Sequence, residues 1–131
     1  MQVSAKVEEE IMALESENER REFMQSLGIT ESAIDVMTQC CLKTLSLISF
    51  FTVGPDEVRQ WNVRRGSSAP DAAGIIHTDL QRGFIRAEVM KYGDLMDLGS
   101  EDKVKEAGKY HLKGKEYIVE DGDILNIRFN V

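Results

Sequence analysis

Ile124-Leu125-Asn126-Ile127-Arg128-Phe129-Asn130-Val131 is the stretch on which the fold turns. On an extended chain, Leu125, Ile127, Phe129 and Val131 fall on one side and Asn126, Arg128 and Asn130 on the other. A period of two is the mark of a half-buried strand. The same alternation recurs upstream. Between Phe84 and Tyr92, Ile85, Ala87 and Val89 oppose Arg86 and Glu88; between Val58 and Arg65, Trp61 and Val63 oppose Gln60, Asn62 and Arg64. One sheet accounts for all three patterns if a helix covers its apolar face and water covers its polar face.

Pro70 to His77 supplies the covering helix, with proline as its first residue and Ser68 or Ala69 as its cap. Leu47 to Val53 is β-branched and aromatic and stops at Gly54-Pro55, so it reads as another strand. Asp94–Leu98 and Glu101–Ala107 read as helical turns. Tyr110–Leu112 and Tyr117–Val119 read as short strands around Lys113-Gly114-Lys115, and Asp121-Gly122 as a further turn. Residues 47–131 are therefore expected to form an α+β domain of the β-grasp, ubiquitin-like kind.

Residues 1–46 have a different texture. Val7, Ile11 and Leu14 recur at helical spacing around Glu8, Glu9 and Glu10, and Ser16 with Glu19 makes a capping-box pattern that restarts a helix through Phe23, Met24 and Leu27. Gly28 is a natural stop. Thr30 reads as the next N-cap, with Ile29 and Ile34 stapling across it. Ile34, Met37, Cys41 and Leu45 then form one apolar stripe. This helical segment holds four cations against nine anions, a charge of −5; the rest of the 131-residue chain carries −2. Repulsion from phosphate is thus concentrated in the first third, and a basic face remains open to the second part.

No apolar run of 18 residues occurs, and the start Met1-Gln2-Val3-Ser4-Ala5-Lys6 has no apolar signal region. Cys40 and Cys41 are adjacent, without spaced partners, which fits a reducing cytoplasm better than a disulfide framework. His77 and His111 lack ligand spacing, so no metal site is expected. No nucleophile or acid–base constellation emerges, so no catalytic residue is assigned.

Three strings carry a family resemblance: Phe51-Thr-Val-Gly-Pro-Asp-Glu-Val-Arg-Gln-Trp61, His77-Thr-Asp-Leu-Gln-Arg-Gly-Phe-Ile-Arg-Ala-Glu-Val89, and Tyr117-Ile-Val-Glu-Asp-Gly-Asp-Ile124 with the terminal Arg128-Phe-Asn-Val131. Ala69 to Asp79 is similar to the opening of TGS domains. Together the strings resemble the C-terminal region of the YchF-type, Obg-like P-loop ATPases, a helical segment followed by a TGS domain. The resemblance implies a ribosome-associated parent that uses ATP or GTP with magnesium. Val3 to Lys6 resembles the end of its nucleotide-binding domain, where Ser4, Ala5 and Lys6 would approach the purine base. No Gly-x-x-x-x-Gly-Lys-Ser/Thr loop occurs in the sequence, so the phosphates have no cradle here. The expectation is a non-catalytic module that binds neither nucleotide nor metal by itself. Its expected partners are the ribosome or structured RNA and the parent's nucleotide-binding domain, with no membrane.

The polar sheet face supplies the contact candidates Arg64, Arg86, Arg128, Asn62 and Asn126, suited to phosphate and sugar. It lacks exposed aromatics for stacking on bases. His77 and Arg82 are candidates for an RNA-contacting edge. The plainer readings are a solvated face with Glu88 pairing an arginine, and a histidine that satisfies a helix end. A rival function is a protein–protein module that uses the acidic helices.

Overall fold

The computed structural model describes residues 1–130. The chain divides into two compact units, Met1–Thr44 and a second that begins at Leu45. In the first, helices α1 (Ala5–Ala13) and α2 (Glu17–Ser26) meet at Ser16, whose side chain accepts from the Glu19 N–H while Glu19 reaches back to the Ser16 N–H. Ile11 of α1 is buried. Helix α2 ends at Gly28, whose φ of +69° is costly for any residue with a Cβ. The Ile29 N–H donates to the Met24 carbonyl and the Gly28 N–H to that of Gln25, closing the last turn.

Helix α3 (Ala33–Thr44) begins later than expected. Ser32, not Thr30, caps it: the Ser32 hydroxyl accepts from the Asp35 N–H and donates to the Asp35 carboxylate. Asp35 stands three residues after Ser32, the spacing at which serine and a carboxylate can exchange hydrogen bonds. Ile34, Met37, Cys41 and Leu45 are exposed rather than buried.

The second unit is α+β. Strands β1 (Leu47–Val53), β2 (Val58–Arg64), β3 (Phe84–Lys91), β4 (His111–Lys113) and β5 (Asp123–Phe129) form one sheet in the order β2-β1-β5-β3-β4. The central pair β1–β5 is parallel and the other three pairs are antiparallel. Helix α4 (Ala69–Ile76) sits against the first face. Ser68 caps it and Pro70 lies in its first turn. Ala69, Ala72 and Ala73 are fully buried at helical spacing against Ile48, Phe50, Val63, Ala87, Val89 and Leu125. Alanines let the helix approach the sheet closely, and the strands' branched and aromatic side chains fill the space between. The short helix α5 (Thr78–Arg82) follows directly.

Three strand expectations need correction. A bulge between Phe84 and Arg86 resets the alternation of β3, so Phe84 is buried and Ile85 is exposed. Tyr117–Val119 is not a strand; Ile118 makes one isolated bridge to Ser68. Val131, assigned to the apolar side of the last strand, lies outside the described residues.

The second face is also not simply wet. Helices α6 (Tyr92–Leu98) and α7 (Glu101–Glu106) bury Val104 against Met90 and Ile124, with Phe51, Leu95, Leu98 and Tyr110 around them. Met90 follows the Arg86-x-Glu88 parity and Ile124 precedes Asn126 on the same side, so β3 and β5 each change from polar to apolar along one face. On these two strands the opposite end, at Arg86 and Arg128, stays open.

Candidate nucleic-acid interface

Strand register decides which of the polar candidates meet. Arg86 faces Arg128 across β3 and β5, and Glu88 faces Asn126 one step along the same side. Arg64 pairs with Leu47 at the far end of β1, whereas the parallel contact with β5 is Phe51 to Ile124. Arg64 therefore lies about four residues to one side of that level and Arg128 about four to the other, roughly 26 Å along the strands. Asn62 lies with Arg64, and Asn126 with Arg128. All five are exposed on the second face, but they form two clusters rather than the single strip that parity alone implied. Parity fixes the face and says nothing of position along it.

At the Arg86–Arg128 end, Glu88 is the hub. Its carboxylate accepts from Tyr110 Oη at 2.8 Å, Asn126 Nδ2 at 2.8 Å and Arg128 Nε at 3.0 Å. Burial pushes the Glu88 carboxyl up, but the Arg128, Tyr110 and Asn126 donors outweigh it and the net shift is downward. Burial, then the bond to Glu88, pushes the Tyr110 phenol up to about 12. Lys105 lies over the Tyr110 ring and pairs with Glu101. Arg128 is held only through Nε, and Arg86 has no ion pair among the described residues.

His77 joins α4 to α5 and Arg82 is the last residue of α5, on the other face of the sheet. His77 Nδ1 accepts from the Asp79 N–H at 3.1 Å and so caps α5; Arg82 pairs with the Asp79 carboxylate at 2.7 Å. Both side chains are thus used locally at a helix end. Ser4 caps α1 by accepting from the Val7 N–H, and Ala5 and Lys6 are exposed beside it. They form the first turn of α1, with the Lys6 ammonium beside it. No group of three potential metal ligands occurs among the described residues. No helix among them is long and apolar enough to cross a membrane.

A second charge cluster escaped the sequence reading. Asp123 is fully buried at the start of β5, and its carboxylate accepts from Lys91 Nζ, Tyr117 Oη and the Glu120 N–H. Lys91 also pairs with Glu120. The sequence signal for it was weak, because nothing in Glu120-Asp121-Gly122-Asp123 marks which of the three acids is buried.

Residues 47–130 match the YchF-GTPase_C family model, described as a protein of unknown function (DUF933). The chain is 50% identical over 129 residues to the ribosome-binding ATPase YchF of Bacillus subtilis, covering 98% of this chain and 35% of that protein. It is 52% identical over 115 residues to the Obg-like ATPase 1 of Rattus norvegicus, covering 88% of this chain and 29% of that protein. The solved structure of the Schizosaccharomyces pombe YchF GTPase superposes with a TM-score of 0.81 at 41% identity, over 92% of this chain and 31% of that one. The chain thus spans about a third of the length of these relatives. With the family model matching most of its length, the chain belongs to the YchF family and corresponds to its C-terminal region.

Proposed function

We propose that this chain is the non-catalytic RNA- and ribosome-interaction module of a YchF-type P-loop ATPase. In this reading residues 1–46 form a helical connector, and residues 47–131 form a TGS domain of the β-grasp fold. The strand order β2-β1-β5-β3-β4 with a parallel central pair and one main helix across the first face supports the fold assignment. The observation that carries the function is the uncovered end of the second sheet face. There Arg86, Arg128 and Asn126 stand exposed, with guanidinium donors that no carboxylate satisfies. Arg64 and Asn62 give a second, separate contact, and His77 and Arg82 a third on the opposite face. The parent would act in the cytoplasm and hydrolyse ATP or GTP with magnesium through its nucleotide-binding domain, with Ser4, Ala5 and Lys6 of this chain completing the base side of that pocket.

The test is co-sedimentation with ribosomes at low and physiological salt. Replacing Arg64, Arg86 and Arg128 with Gln should abolish pelleting, and pelleting should weaken steeply with salt as condensed counterions are released. Unchanged pelleting of the triple variant would overturn the reading. Calorimetric titration of the same chain with ATP and magnesium should give no binding heat, because phosphate has no cradle; a micromolar dissociation constant would refute that part.

A second reading has its own observation. In the helical unit a groove of about 700 Å³ is lined by Ile11, Met12, Met24 and Ile29 with Glu17, Arg20 and Arg21, and Met12 and Leu27 are exposed. An apolar groove with a charged rim suits a protein partner. Loss of pelleting on changing Glu8, Glu9 and Glu10 to Gln, with the arginine variant unaffected, would favour it.

A further inference from the structure

Arg86 and Arg128 are direct cross-strand neighbours on an exposed face. Facing Cα atoms in such a pair lie about 5 Å apart, and like charges placed so are destabilising. A single carboxylate lies beside the pair, and it bonds only one of them. Glu88 takes the Nε edge of Arg128 at 3.0 Å, and its remaining capacity goes to Tyr110 and Asn126. The terminal nitrogens of Arg128 and the entire fork of Arg86 are left facing solvent. Glu88 is itself fixed from two sides, so Arg128 is held in place while its open edge stays available. The aromatics on this face give no open stacking platform, and Phe129, the exposed ring next to Arg128, pairs with Phe84 on the other face. Tyr110 is half-buried beneath Lys105 with its hydroxyl committed to Glu88, and Phe51 packs into the α6–α7 core against Tyr92.

Resting on the RNA reading above, we propose that Arg86 and Arg128 together grip one phosphate of a double-stranded RNA backbone. Two guanidinium forks about one strand spacing apart match the oxygens of a single phosphodiester, and the bound anion relieves their mutual repulsion. With no base-stacking surface alongside, the contact reads backbone and not sequence. That is the usual way duplex RNA is recognised, because its bases are inaccessible to side chains in the deep major groove. Ile85, pushed outward by the bulge, rims the site on β3.

The experiment is binding of the full 131-residue chain to a short duplex RNA of mixed sequence, followed by fluorescence anisotropy at several salt concentrations. Arg86→Gln and Arg128→Gln should each weaken binding about tenfold and lower the salt slope by about one. Arg86→Lys should weaken it nearly as much, since charge is kept and the planar fork is lost. Arg59→Gln, on the edge strand β2 and on the other face of the sheet, should bind as wild type. Inorganic phosphate at millimolar concentration should not displace the duplex. Wild-type binding that survives in both glutamine variants would overturn the clamp and leave the RNA reading standing; so would an Arg86→Lys variant as tight as wild type, which would reduce the effect to charge alone. Displacement by millimolar phosphate would make the site one for the free anion. Absence of wild-type binding at low salt would overturn both readings.

Discussion

Two charge clusters lie on the same pair of strands, and they are built in opposite ways. At one end of β3 and β5, Lys91 faces Asp123, which has no exposed surface and whose two oxygens accept from Lys91, Tyr117 and the Glu120 N–H. At the other end, Arg86 faces Arg128 with only Glu88 between them in charge. The first cluster is closed and each of its donors meets an acceptor inside the protein. The second is open and carries donors in excess. A buried carboxylate survives when hydrogen bonds replace all the water it has lost, and such a network specifies the local structure. An exposed excess of guanidinium contributes little to stability and is available to a ligand. The closed cluster sits where it joins parts. The Gly122 N–H donates to the Ser49 carbonyl and the Tyr92 N–H to that of Gly122, so the Asp121-Gly122 turn links β1, β5 and the start of α6. Gly122 has a φ of +84°, which this turn requires.

Breaking the closed cluster should have the largest effect. Asp123→Ala takes the acceptor from the Tyr117 hydroxyl and the Glu120 N–H and leaves Lys91 with Glu120 and a long contact to the Tyr117 oxygen, and should cost about 3 kcal/mol. Thermal or urea unfolding measures it. A loss below about 1 kcal/mol, the level of ordinary surface changes, would erase the distinction between the clusters.

Glu88 tests the border between them, because it is nearly buried yet serves the open cluster. Glu88→Gln keeps the shape and loses the charge, and should cost about 1–2 kcal/mol at neutral pH. The pH dependence carries a sign. The folded pKa of Glu88 lies below its ordinary value of 4.5, so its contribution is present above that value and is lost as pH falls through the folded pKa. Wild type should therefore lose stability on acidification more steeply than the variant. Parallel curves would assign the shift to another group.

The alkaline limb belongs to the closed cluster. Burial, then the bond to Asp123, pushes the Tyr117 phenol up to about 12 from an ordinary 10, and Lys91 is shifted upward too: burial opposes its charge, but Asp123 and Glu120 outweigh it. Both groups hold their protons more tightly in the folded state. Their stabilisation is complete below about pH 10 and declines as pH rises toward 12. Tyr117→Phe should cost about 1 kcal/mol at neutral pH and flatten that decline, read by circular dichroism between pH 9 and 11. An unchanged slope would place the alkaline sensitivity elsewhere, with Tyr110 the next phenol to test.

The sequence revealed elements more readily than their alignment. The alternation in Leu125, Ile127 and Trp61, Val63 marked the sheet's inner face, and Ser16-x-x-Glu19 marked a helix start, because both signals are local and periodic. Ile85 broke the pattern, since a bulge adds one residue without a composition cue. The cover provided by α6 and α7 was invisible for a related reason. Met90 and Ile124 sit on the polar parity, and only their pairing shows that the same face turns apolar at that level. The separation of Arg64 from Arg86 and Arg128 was lost in the same way, since register between distant strands is set by turns and packing rather than by any one strand.

The smallest expected effect is also the sharpest test of what the open cluster is for. Arg86 makes no ion pair among the described residues and stands opposite another arginine, so its charge has no stabilising partner in the fold. Arg86→Gln should leave unfolding within about 0.5 kcal/mol of wild type, as surface substitutions do, and any change should be toward greater stability as cross-strand repulsion is relieved. The shift should shrink with added salt, because exposed charges are screened within about 8 Å at physiological ionic strength. Differential scanning calorimetry at two salt concentrations is the measurement. A clear destabilisation would mean that Arg86 supports the fold through contacts of its own, and weakened RNA binding by the variant would then be attributable to structure. Stability kept while binding falls would separate the two clusters by function as cleanly as burial separates them by structure.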